Sequence, residues 1–293
     1  MPAGIKRRKG KVVKKTLKIV ALLCLTALTI LLMASCNEQI PEELQSFIPE
    51  GMLPEGMLPP TPSTGLAYTD NGDGTCTITG IGTCTDVDVV IPATIDGLKV
   101  TKIASYAFFE NKKIQTFTIL NGVTELGDGM LMWCSNLTKA VIADSVTDMG
   151  TNCFNGCSSL ESVKLSNSIT KIGDSMFVGC VKLESITIPN GVTSFGTCAF
   201  QRCDSLTSIT IPNGVAELNY GVFGGCMNLT SITIPASVIE INYGAVEGCY
   251  RISRIVFEGT VEQWNEIVFE SGMFTDTLYA TEVTCSNGVV PLN

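Results

Sequence analysis

The chain has 293 residues, with 19 Lys and Arg against 28 Asp and Glu, a formal charge of −9 and no histidine. An acidic surface repels phosphate backbones, so nucleic acid is a poor partner. Without histidine, the residue most used as general base and metal ligand is missing, which turns the reading from catalysis toward binding and structure.

The first element is a targeting segment. Lys6, Arg7, Arg8, Lys9, Lys11, Lys14, Lys15 and Lys18 precede an apolar run over 19–33, followed by Ala34, Ser35 and Cys36. Basic, apolar and small residues in that order make an export signal. The run is short for a spanning helix and leads into a polar tether rather than a basic stop. Residues 32–36, Leu-Met-Ala-Ser-Cys, resemble the lipobox of bacterial lipoproteins, with Met33 where leucine is usual and leucine one place earlier. The resemblance implies a lipid on Cys36 and a membrane anchor without a spanning segment. The alternative is ordinary cleavage near Ala34, with Cys36 incidental. Removal of residues 1–35 takes eight basic and no acidic residues, leaving 11 Lys and Arg against 28 Asp and Glu, a formal charge of −17.

Residues 36–66 hold six prolines and a doubled EGMLP, with neither helical nor strand periodicity, and read as an extended tether. From 67 to 99 the pattern turns to strands. Residues 70–74 supply hairpin chemistry, and residues 87–91 form a good strand ending in Ile91-Pro92. This stretch is an N-terminal β cap, covering the open apolar face and sheet edge of the first repeat. Cys76 and Cys84 flank its hairpin and are the pair best suited to a disulfide.

Residues 100–260 are seven gapless copies of a 23-residue unit, beginning at Val100, Val123, Val146, Ile169, Val192, Val215 and Val238. A fixed period of this size marks a solenoid whose units bury their apolar faces only against one another. Places one, four, eight, nine, fifteen, eighteen and twenty are apolar, as in Val192, Phe195, Ala199, Phe200, Leu206, Ile209 and Ile211. Alternation at eighteen and twenty predicts one short strand per coil, stacked as a parallel sheet. Place five is Gly127, Gly150, Gly173 and Gly196, then Asn219 and Asn242, which predicts a left-handed corner there; Ala104 departs from it. Ser105, Asp128, Thr151, Asp174 and Thr197 at place six suit the N-cap of a helical turn carrying places eight and nine. Residues 261–293 then close the array, with a helix over 261–267 that buries Trp264 and a last strand over 278–283.

Place twelve is Cys134, Cys157, Cys180, Cys203, Cys226 and Cys249, with Asn111 in the first copy. Stacked coils put these thiols in a line about 4.8 Å apart, under the turn and in contact with backbone. A line does not converge into a metal tetrahedron, so no metal site or cofactor is expected. Cys153, Cys198 and Cys285 read as small apolar fillers, and Cys24 lies in the export signal.

The unit I-G-x-x-A-F-x-x-C-x-x-L-x-S-I-T-I-P-x-x-V, almost whole over residues 195–215, resembles the cysteine-containing leucine-rich repeat of BspA-like bacterial surface proteins. The resemblance covers residues 67–293, with departures at Leu131, Val246, Tyr220, Tyr243 and Asn111. It implies a right-handed, mostly β leucine-rich-repeat coil, with short helical turns opposite the sheet and caps at both ends. It also implies a non-catalytic, lipid-anchored protein of the bacterial cell surface, on the outer membrane in a Gram-negative cell. Family members bind extracellular-matrix proteins, host cells or other bacteria, so the resemblance implies an adhesin-like partner in host or bacterial surface protein or glycan, but no shared contact motif names the ligand.

Places seventeen and nineteen should face solvent from the sheet. The candidate ligand strip is Lys164, Ser185, Thr187, Ser208, Thr210, Ser231 and Thr233. Tyr220 and Tyr243 align in consecutive coils, either to pack laterally or to grip sugar or peptide. Glu217 with Glu240 and Glu161 with Glu184 read as solvated edges rather than an acid and base pair. No nucleophile with a partner base and no phosphate loop is present, so an enzyme is the weaker class. A surface spacer without a specific ligand is the remaining alternative.

Overall fold

The computed structural model describes residues 60–270 and 279–292. The export signal, Cys36, nearly all of the tether and the start of the expected last strand lie outside the described residues. Residues from Pro62 onward form one compact unit, a β-solenoid with the repeat's apolar places in register. Place one is buried in every coil, from Val100 to Val238, and so is place fifteen, from Ile114 to Ile252. Place-nine rings stack along the axis as Phe154, Phe177, Phe200 and Phe223, with centroids 5.4, 5.2 and 5.6 Å apart. Burying such rings against one another gives each coil a core that none has alone.

Two ladders of parallel strands run the length of the array. The sheet ladder begins in the cap, which contributes β1 (Ala67–Asp70), β2 (Thr75–Gly80), β3 (Asp88–Ile91), β4 (Thr94–Ile95) and β5 (Leu98–Ile103). β3 pairs in parallel with β6 (Thr116–Ile119), so the cap already contains a strand of the main sheet. β2 pairs in parallel with β5, which pairs with β7 (Glu125–Leu126) to start a second, side ladder at places three and four. The cap is therefore an irregular first coil. Its start is fixed by buried Ser63, whose hydroxyl accepts from Val90 N at 3.0 Å.

The sheet ladder continues through β8 (Lys139–Val141) to β10 (Ser162–Lys164), while β9 (Asp148–Met149) extends the side ladder. Beyond these, the side ladder resumes as β11 (Lys171–Ile172) with β12 (Ser194–Phe195). β13 (Ser208–Thr210), β15 (Ser231–Ile234) and β17 (Arg254–Phe257) carry the sheet; β14 (Glu217–Leu218) and β16 (Glu240–Ile241) carry the side. α1 (Val261–Glu266) starts on a capping box between Thr260 and Gln263 and buries Trp264, as the sequence predicts. β18 (Val268–Phe269) and β19 (Glu282–Cys285) extend the two ladders, and the antiparallel β20 (Gly288–Pro291) ends the main sheet.

One joint is weaker than the rest. Residues 185–188 form no ladder strand, so the main sheet divides between β10 and β13; the side ladder divides between β9 and β11 and again between β12 and β14, and only the joint between coils 146–168 and 169–191 lacks both. Among the described residues, the hydrogen bonds joining coil 146–168 to coil 169–191 all lie on the turn side. They run from Asn152 N to Asp174 O, Phe154 N to Met176 O, Gly156 N to Val178 O, and the Cys180 thiol to Phe154 O. Val163 and Ile186, at place eighteen on either side of this joint, are only partly buried, whereas Ile209, Ile232 and Ile255 are buried.

Candidate functional site

The backbone of each turn corrects two expectations. Gly127, Gly150, Gly173 and Gly196 are not left-handed; the left-handed residues sit at places seven and eleven, among them Tyr106, Asn152, Ser175 and Cys198, and Glu110, Trp133 and Arg202. Place five is glycine because coils touch there. A Cβ on Gly127 would lie 2.3 Å from Ser105 N, and one on Gly196 would lie 2.4 Å from Asp174 N. Where asparagine replaces glycine, it bonds between coils instead, Asn219 Nδ2 donating to Phe195 O at 2.6 Å.

Place six caps no helix. Among the described residues α1 is the only α-helix, and each turn is a run of i→i−3 bonds alternating with bonds to the next coil. Asp128 Oδ1 accepts from Thr151 N, and Asp174 Oδ1 from Thr197 N, both at 2.7 Å and both one coil on. The side chains suited to capping are indeed acceptors, but their donor belongs to the neighbouring coil.

The six place-twelve thiols are buried, and each donates to the place-nine carbonyl one coil back, from Cys134 to Phe108 O at 3.1 Å to Cys249 to Phe223 O at 3.0 Å. Asn111, at the same place in the first copy, does a different job. Its Oδ1 accepts locally from Lys113 N at 2.9 Å. Burial pushes the thiols of Cys134 and Cys153 up to about 12, and those of Cys157 and Cys180 well above their ordinary 9.0. Such groups stay protonated, so they fill space and donate rather than attack. Cys76 and Cys84 are free thiols, against the expected disulfide. Cys76 points into the core opposite Asp70, whereas Cys84 follows the strand's end at Gly80. Four extended residues carry the chain about 13 Å from Cys76 to Gly80, at roughly 3.3 Å each, before the turn that leads to Cys84.

Three outer surfaces remain for a ligand. The first is the sheet face, where Ser208 is paired with Ser231 and Thr210 with Thr233. Lys164, Ser185, Thr187, Ser208 and Thr210 are exposed, Ser231 and Thr233 half-buried. Among the described residues none of these seven side chains makes a hydrogen bond or ion pair. Hydroxyls elsewhere are engaged: at place sixteen Thr138 bonds Gln115 O at 2.9 Å and Thr230 bonds Thr207 O at 3.0 Å.

A groove of about 660 Å³ is the second surface, running beside the side ladder over a floor that includes Gly127, Gly150, Gly173 and Gly196. The sequence hides it because glycine at place five reads as a corner residue. Its charged walls are occupied with holding coils together: Lys102 pairs with Glu125, Lys171 with Asp148 at 3.1 Å, and Asp128 and Asp174 accept from the next coil. The third surface is the turn face. It exposes Tyr106, Phe109 and Trp133 at one end, and at the other the stacked pair Tyr220 and Tyr243, whose centroids lie 6.0 Å apart. Glu217 and Glu240 pair side by side in the side ladder.

The sequence profile of the BspA type leucine-rich repeat region matches residues 88–207 and 194–287, in six copies. The chain belongs to the BspA-type leucine-rich repeat family. Solved structures agree. The chain is similar to a leucine-rich repeat protein of T. pallidum, at 26% identity over 75% of this chain and 90% of that one, with a TM-score of 0.55. It is likewise similar to a leucine-rich repeat protein from Bacteroides ovatus, at 28% identity over 67% of this chain and 54% of that one, with a TM-score of 0.58. No curated protein matches. Membership in the BspA-type family accounts for the two ladders and the parallel sheet; it assigns no ligand.

Proposed function

We propose that this protein is a non-catalytic binding protein of the bacterial cell surface. In this reading it is exported, held by a lipid on Cys36, and uses its sheet face to bind an extended protein or glycan ligand. The observation carrying the proposal is the state of the hydroxyls. Those at places two and sixteen are engaged between coils, as in Thr124 to Thr101 O and Thr138 to Gln115 O. Thr116 at place seventeen of the first coil bonds Asp88 at 2.7 Å, but in the coils from 169 to 237 those at places seventeen and nineteen, Ser185 to Thr233, face outward with donors and acceptors unfilled among the described residues. An extended surface of repeated polar groups suits a polymer lying across several coils. The groove, whose charges are already paired, is the weaker candidate.

Binding of the chain from residue 37 onward to immobilised matrix proteins, mucin and glycans tests the reading. Saturable binding, abolished by Thr187→Glu with Thr210→Glu in a protein that still folds, supports it. Binding unchanged by that pair removes the sheet face, and no saturable binding to any panel member favours a spacer. Fatty-acid labelling of the full chain against Cys36→Ala tests the anchor, and equal labelling of both would refute it.

A further inference from the structure

On the turn face of the three coils from 192 to 260 there is a hollow of about 200 Å³, ringed by Gln201, Arg202, Tyr220 and Glu247 over a glycine floor. Gly221, Gly224, Gly225 and Gly244 form that floor, and a side chain there would fill it. A Cβ on Gly225 would lie 3.3 Å from Arg202 Cγ, one on Gly244 3.1 Å from Glu247 Oε2, and one on Gly221 3.7 Å from Gln201 Nε2. The hollow therefore exists because three coils bring glycines to the same spot, while their longer side chains stand around it.

Two features of its lining mark this hollow. Among the described residues, the guanidinium of Arg202, the amide of Gln201 and the carboxylate of Glu247 make no hydrogen bond or ion pair, although comparable groups in the groove are engaged. Arg202 is also held at φ 57, at place eleven, where Glu110 and Trp133 are left-handed as well and Gly156, Gly179, Gly225 and Gly248 stand in the remaining coils. That left-handed position strains any side chain it carries. Tyr220 is 51% exposed and stands at place six, where the next coil carries Tyr243 and the five earlier coils the smaller Ser, Asp or Thr.

We propose that this hollow is a binding site for a single neutral sugar ring, the terminal or branch residue of a glycan. At about 200 Å³ and open to solvent, the hollow would seat one ring of a glycan whose remainder lies outside it. Planar amide, guanidinium and carboxylate groups together offer the paired donors and acceptors that vicinal hydroxyls require. An exposed tyrosine supplies apolar contact for the ring's C–H groups. Arg202 and Glu247 cancel in charge, which fits an uncharged ligand. The glycine floor lets the ring approach backbone. The site lies on a different face from the hydroxyl strip and does not depend on it.

Saturation-transfer NMR of the chain from residue 37 onward tests it, using methyl glycosides of glucose, galactose, mannose, fucose and N-acetylglucosamine, with sialic acid as the charged comparison. At least one neutral glycoside is expected to saturate, and Arg202→Gly and Tyr220→Thr each to weaken it tenfold or more. Because both variants install residues that other coils carry at those places, the unfolding midpoint should not fall. Thr187→Glu with Thr210→Glu should leave sugar binding unchanged. No saturation by any neutral glycoside, binding of sialic acid alone, or binding indifferent to both hollow variants overturns the proposal.

Discussion

The Cys203 thiol donates to the carbonyl oxygen of Phe177 at 3.3 Å, a bond between residues 26 apart and one coil removed. The same carbonyl accepts Cys180 N at 3.1 Å, so one oxygen joins its own turn to the next. Repeated along the array, this places a weak donor wherever a buried carbonyl needs a second partner. Cys203→Ala removes the donor and leaves a small void, and should lower stability by about 1–2 kcal/mol. Urea unfolding measures this, and an unchanged midpoint would show the thiol to be filler alone.

Alkali should weaken the fold through the same thiols. Cys153 is raised by burial to about 12, so its folded value lies above its unfolded one. The stability linked to it is fully present below pH 9, the ordinary thiol value, and is lost as pH climbs toward 12, on the order of 4 kcal/mol for one such group. Urea midpoints should fall between pH 8 and pH 11, and less steeply in Cys153→Ala. Parallel slopes in the two proteins would assign the alkaline loss to other groups.

Place-five glycines should differ in tolerance. Gly196→Ala sets a Cβ 2.4 Å from Asp174 N and forces coils apart, while Gly173→Ala meets Gly150 O at 3.1 Å, a contact that a small shift relieves. Overpacking of the first kind should cost about 2–3 kcal/mol and the second about 1 kcal/mol or less. Thermal unfolding ranks the pair; a reversed order contradicts the coil-contact account.

Hydrogen exchange should reveal the joint between coils 146–168 and 169–191. Amides of residues 185–188 lack ladder bonds, whereas Ile209 and Thr210 lie in paired β13. Exchange at 185–188 should be faster by orders of magnitude, since protection follows local bonding. Uniform protection across all coils would mean the joint is closed in solution.

Much of the fold is legible because a repeat states each residue's role several times over. Val192, Phe195, Leu206 and Ile211 belong to the core by alignment alone, and all are buried. Place five misleads for a physical reason. Glycine permits both positive φ and close approach, and the sequence does not say which of the two is needed. The real left-handed positions are hidden because Tyr106, Asn152, Ser175 and Cys198 share no side-chain chemistry. Asp128 and Asp174 carry the right acceptor, but a donor 23 residues away leaves no local signature. The glycine-floored hollow needs three coils at once; glycine at places seven, ten and eleven of a single copy, Gly221, Gly224 and Gly225, is the available hint.

Tension along the axis of a solenoid passes through every coil contact in series, and the softest contact yields first. Here that contact is bonded along one edge, through Phe154, Gly156 and their partners, with the Lys171 to Asp148 ion pair on another. Pulling should swing the two halves apart about the turn edge like a cover about its spine, lengthening the molecule while residues on either side stay folded. Closing again requires only that the segments around Lys164 and Thr187 meet, which would make the extension elastic.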